Sequence, residues 1–92
     1  MKLLAEENYL VGKWIYKDGS FVKDETTNRV EWLIANHLRK IATDKTGWDI
    51  LFMNPEDNKF WELAYPQSEM HGGGPPSLIN ISEEEARHKY SI

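Results

Sequence analysis

Two carboxylates and a histidine, Glu62, Glu69 and His71, fall close together in the chain, and Asp49 lies a hairpin's length upstream of Glu62. Such a set runs general acid–base chemistry when burial or mutual repulsion separates its pKa values. The spacing matches no catalytic motif. Glu62 reads more simply as a structural partner for a cation from a neighbouring strand or from a helix, and no catalytic residue is assigned. Glu69 and His71 precede Gly72, Gly73 and Gly74, whose N–H groups would suit an anion nest. The GxxxxGK[ST] pattern and strand–glycine–helix order of a nucleotide loop are nevertheless missing. The histidines, at 37, 71 and 88, are far apart and none begins an HExxH motif, so neither a metal nor another cofactor is expected.

Composition narrows the classes further. With 92 residues, four Trp, four Tyr and three Phe, the chain suffices for one core and is too short for two, so a single domain spanning 1–92 is expected. The absence of cysteine excludes disulfides, thiolate catalysis and Cys-based metal sites. Fifteen acidic against eleven basic residues, a formal charge of −4, disfavour phosphate backbones and favour a basic protein partner over nucleic acid. Lys13, Lys17 and Lys23, interleaved with aromatics, are the one hint to the contrary. The opening MKLLAEEN is neither a signal peptide nor a membrane span, which sets the expectation of a cytoplasmic protein without membrane contact.

The elements that must position these groups follow from periodicity. Val11–Tyr16 alternates as a strand, and Asp18-Gly19 predicts a type I′ hairpin turn into Phe21 and Val22, with Trp14 and Tyr16 packed against a helix. Gly12 marks a bulge or a close backbone approach. Val30, Leu33, Ile34, Leu38 and Ile41 recur at helical steps, predicting a helix from Thr27 to Ile41 or Ala42, with Asp24 or Thr26 as N-cap and Arg39 and Lys40 near its carboxyl end. Trp32 stands off the centre of that stripe, either covering a second edge of the core or exposed to a partner. His37 is expected to be a partly buried, hydrogen-bonded histidine. Residues 43–47 form a turn, and Trp48–Met53 reads as a strand apolar on both faces, with Trp48, Ile50 and Phe52 together. Asn54–Asn58 returns the chain into Lys59–Tyr65.

In Phe60–Leu78, FWELAYPQSEMHGGGPPSL, Trp61, Leu63 and Tyr65 alternate on one strand face until Pro66 ends the ladder. The glycines and Pro75-Pro76 then demand a loop. Leu78, Ile79 and Ile81 suit a short strand. Ser82 with Glu85 forms a capping-box pattern for a helix through about Tyr90. The fold class is therefore α+β: an antiparallel sheet built from the N-terminal hairpin and the 48–65 hairpin, packed by one main helix, with a short C-terminal helix.

GKW at 12–14, RVEWLI at 29–34, GWDIL at 47–51, FWELAYPQSEMHGGGPP at 60–76 and ISEEEARHKY at 81–90 resemble the bacterial immunity protein 27 family (Imm27) of polymorphic toxin systems. The resemblance implies a non-enzymatic inhibitor, encoded beside a toxin domain in a polymorphic toxin or contact-dependent inhibition system, that binds the toxin stoichiometrically. The toxin would be basic and nuclease-like, and the inhibitor a monomer or weak dimer. The family motif covers Trp61, Glu62, Tyr65, Pro66, His71, Gly72, Gly73, Gly74 and Pro75. Asn58 stands where that resemblance leads one to expect glycine, and asparagine tolerates the left-handed conformation such a turn needs. Partner-binding candidates are Trp32, Glu62, Gln67, Glu69 and His71. The competing readings are a small hydrolase-like enzyme using Glu62, Glu69 and His71, and a self-associating structural protein suggested by the four tryptophans.

Overall fold

The computed structural model describes Leu3, residues 7–66 and residues 74–92. Among the described residues, seven strands and two helices follow in the order β1 (Tyr9–Val11), β2 (Trp14–Lys17), β3 (Ser20–Lys23), α1 (Glu25–Asn36), β4 (Arg39–Thr43), β5 (Ile50–Met53), β6 (Phe60–Ala64), β7 (Ser77–Ile81) and α2 (Glu83–Tyr90). Five strands form an antiparallel sheet in the order β1-β7-β6-β5-β4, while β2 and β3 pair only with each other. The α+β class is as expected. The N-terminal hairpin, however, stands outside the main sheet. The predicted Val11–Tyr16 strand breaks at Gly12 and Lys13, and its first residue belongs instead to β1, which pairs with β7, Val11 opposite Ser77.

Alternation along β5 and β6 sends side chains to two faces, and a different helix covers each. On one face Trp61, Leu63, Phe52 and Leu78 pack with Val30 and Leu33 of α1. On the other, Leu51, Phe60 and Ile81 pack with Ala86 and Tyr90 of α2. The doubly apolar strand of the 48–53 segment is thus explained, although it begins at Ile50. Trp48, expected beside Ile50 and Phe52, lies outside the strand with 68% of its surface exposed.

Helix α1 ends at Asn36, short of the Ile41 or Ala42 that the periodicity predicts. The Leu38 and Ile41 that extend the helical pattern lie on opposite sides of the sheet, Leu38 in the α1 cluster and Ile41 in the α2 cluster. Arg39, Lys40 and Ile41 belong to β4, whose pairing with β5 supplies the backbone hydrogen bonds that a longer helix would have made internally. A register shift between Lys40 and Ala42 places Ile41 and Ala42 on the same cluster. His37 becomes the C-cap, its N–H donating to the Leu33 carbonyl, and its Nε2 lies 3.1 Å from Asn54 Oδ1.

The local signals hold where they depend on one or two residues. Asp18 and Gly19 have φ of 51° and 83°, as a type I′ turn requires, and Asn58 takes φ of 59°. Ser82 Oγ accepts from the Glu85 N–H at 3.1 Å, while its hydroxyl donates to the Glu85 carboxylate at 3.2 Å. At the start of α1, Asp24 Oδ1 accepts from the Thr27 N–H at 2.7 Å. Burial raises the Asp24 pKa, but hydrogen bonds to Thr27 outweigh it and hold the carboxyl below its usual value of 3.8. Asp24→Ala should therefore cost about 1 kcal/mol in urea denaturation at neutral pH. With the folded pKa depressed, this contribution is present above the unfolded pKa and is lost as pH falls through the lower folded value. Wild type and variant should then converge in stability once pH has fallen below that depressed folded value.

Candidate functional site

Glu62 extends from the middle of β6 towards α2, opposite Leu51 on β5 and Ile79 on β7. Its Oε2 accepts from the Tyr90 hydroxyl at 2.9 Å and lies 2.8 Å from Lys89 Nζ. The same ammonium reaches Asp49 Oδ2 at 2.7 Å, so Lys89 bridges the two carboxylates and ties α2 to the β5 and β6 strands. Partial burial pulls the Lys89 pKa down, but the hydrogen bonds it donates to Asp49 and Glu62 prevail and hold it well above the ordinary lysine value. Burial, reinforced by Glu62, likewise pushes the Tyr90 phenol far above its ordinary value. Both shifts stabilise the fold below the unfolded pKa values near 10, and the stabilisation is lost as pH rises beyond them. Glu62→Gln should cost about 1–2 kcal/mol at pH 7, a charge-assisted bond discounted for the exposure of Lys89. The gap between wild type and variant should narrow in melts recorded from pH 9 to pH 11.5.

This arrangement is the helix-cation partnership that the sequence allowed for Glu62. A shallow recess of about 270 Å³ lies beside it, lined by Glu62, Ile81, Glu85, His88 and Lys89. Glu85 and His88 carry a Glu-x-x-His spacing along α2 that the reading of the sequence passed over. Among the described residues, no group of three or more His, Asp or Glu side chains is disposed to hold a metal ion. No helix among them is long and apolar enough to cross a membrane.

Trp32 lies on α1, on the other side of the sheet from Glu62, so these two partner-binding candidates do not share a surface. Its ring is 39% exposed and stacks on His37 with centroids 6.5 Å apart. Gln67, Glu69, His71, Gly72 and Gly73 lie outside the described residues. Of the remaining motif positions, Trp61 is buried in the α1 cluster, Tyr65 and Pro66 are exposed at the end of β6, and Gly74 and Pro75 are buried. Gly74 has φ of 70°. The far end of the glycine–proline stretch braces the fold, since the Pro76 carbonyl accepts from the Gly12 N–H at 2.9 Å.

An exposed apolar surface lies on the β2–β3 hairpin, where Tyr16 was expected to pack against a helix. Tyr16 and Phe21 face each other across the β2–β3 hairpin, rings at 71° with centroids 5.3 Å apart, and are 67% and 69% exposed. Ile15 and Val22 form an exposed pair on its opposite face. Tyr16 does not pack against a helix as expected, because the hairpin is a sheet of its own, whereas Trp14 at its base is half-buried with its indole nitrogen enclosed. Lys23 holds it to the helix through both carboxylate oxygens of Glu31, at 3.0 and 2.9 Å. A sequence signal for this existed: both faces of the hairpin are apolar, and a two-stranded ribbon cannot bury both against one helix.

The molecule is thus a small α+β protein whose part-buried Glu62–Lys89–Asp49 charges serve its own scaffold and whose hairpin presents Tyr16 and Phe21 outward. The chain matches the family model of Imm27, immunity protein 27, over residues 16–82, and it belongs to that family. The matched span runs from Tyr16 in the hairpin to Ser82, the N-cap of α2, and includes Glu62. No curated protein and no solved structure matches the chain.

Proposed function

We propose that this protein neutralises a cognate bacterial toxin domain by stoichiometric binding in the cytoplasm, blocking access of substrate to the toxin's active face. Membership of the immunity protein 27 family over residues 16–82 is the observation that carries this reading. The internal use of Glu62 supports it over hydrolysis, because the carboxylate that would anchor an acid–base pair is already engaged by Lys89 and Tyr90. The formal charge of −4 favours a basic toxin, such as a nuclease-like domain, by accelerating encounter. The test is a pull-down against the toxin domain encoded beside the immunity gene. A one-to-one complex at micromolar concentration, weakening with added salt, is expected. No complex at low salt would overturn the proposal.

A further inference from the structure

Resting on that reading, we infer that the β2–β3 hairpin is the element that enters the toxin, and that it seats in a cleft offering apolar walls and carboxylates. An isolated two-stranded hairpin is marginal in water, and this one keeps Tyr16, Phe21, Ile15 and Val22 exposed on its two faces. Large aromatics held in a fixed edge-to-face pair pay little ordering entropy on binding, which suits them to dominate an interface. The hairpin is bonded internally through its type I′ turn and fastened at its base, where the Asp24 N–H donates to the Lys13 carbonyl and Lys23 grips Glu31. It is therefore presented as a preformed wedge.

Charge selects the kind of cleft. Lys13 and Lys17 set against Asp18 leave the hairpin locally positive on a negative protein, since Lys23, the third lysine of residues 13–23, is already paired with Glu31. Lys13 and Lys17 are exposed. Net charge acts over a Debye length and governs encounter, whereas the sign of the inserted element must match the walls that it touches. A basic toxin whose cleft carries carboxylates satisfies both requirements: the body is drawn in by long-range attraction, and Lys17, beside the turn, meets the acidic groups within.

The experiment is calorimetric titration of the toxin domain encoded beside the gene, inactivated for expression, against the full chain and three variants. Tyr16→Ala/Phe21→Ala should weaken binding roughly a hundredfold or more. Lys17→Glu should weaken it about tenfold at low salt. Trp48→Ala, an equally exposed aromatic near the opposite edge of the main sheet, should bind as wild type does. The substituted hairpin side chains lie outside both core clusters, so thermal melts of the variants should stay close to wild type. Binding of the double variant within threefold of wild type overturns the hairpin assignment while leaving the proposed function standing. Tighter binding by Lys17→Glu overturns the acidic cleft. Absence of any wild-type complex removes the functional reading and this inference together. A wild-type dimer that light scattering shows to be lost in the double variant would assign the hairpin to a second copy of the chain and overturn the toxin as its occupant.

Discussion

Trp61→Ala is expected to destabilise the protein by about 3–5 kcal/mol, read as a shift in the urea midpoint at unchanged slope. Trp61 is only 1% exposed and packs in the α1 cluster with Leu63 beside it on the same face of β6. Truncation removes the largest fully buried side chain and leaves a cavity in the central strand of the five-stranded sheet, where pairing on both sides restricts collapse. Against the roughly 5–15 kcal/mol available to a protein of this size, such a loss unfolds a substantial fraction of molecules near physiological temperature. Trp61→Phe should cost less than half as much. It retains part of the apolar volume and removes an indole N–H that is buried without a hydrogen-bond partner. A cost below about 1 kcal/mol for the alanine variant would contradict the packing described for this residue.

Gly12→Ala should destabilise by about 1–3 kcal/mol, even though a single methyl is added at the end of a short edge strand. A Cβ at Gly12 would overlap Thr27 Oγ1 and lie 3.0 Å from the Pro76 carbonyl oxygen. Thr27 is fully buried on α1 and β-branched, so its hydroxyl has little room to turn aside. The backbone must yield instead, which strains the Gly12–Pro76 hydrogen bond and the adjoining Val11–Ser77 pairing. Combining Gly12→Ala with Thr27→Ala removes the obstructing oxygen. A double-mutant cycle should then recover about 1 kcal/mol or more of coupling energy. Additive single costs would place the strain elsewhere. The clash explains why glycine occupies this position without appeal to its left-handed freedom.

The reading of Gly12 as a close backbone approach was possible from residue type alone, but its two neighbours, Thr27 and Pro76, are distant in sequence. The same division runs through the candidate site. That Glu62 would meet a cation, from a neighbouring strand or from a helix, was legible because a carboxylate on an otherwise apolar, paired strand needs a partner. That the cation would be Lys89, shared with Asp49 and joined by the Tyr90 hydroxyl, depended on where α2 lies across the sheet. Trp32 had two possible environments on the helical wheel, and the docking of α1 left its ring partly exposed against His37.

What the chain determined by itself were features set by a residue and its immediate neighbours. These are the Asp18-Gly19 turn, the left-handed Asn58, an N-cap for α1 at Asp24 or Thr26, the Ser82 cap, the two-faced β5 and β6 strands, and the α+β class that their sum implies. The tertiary structure alone decided where α1 stops, because Ile41 satisfies a helical period and a strand equally well until β5 offers an edge to pair with. It also decided that β1 would pair with β7, leaving the β2–β3 hairpin as a separate sheet with its aromatics outward. Local conformation follows from steric and hydrogen-bonding preferences carried by the residue itself. Strand partnership and exposure follow from competition among segments for the same edges and faces, and that competition is settled only when the whole chain has packed.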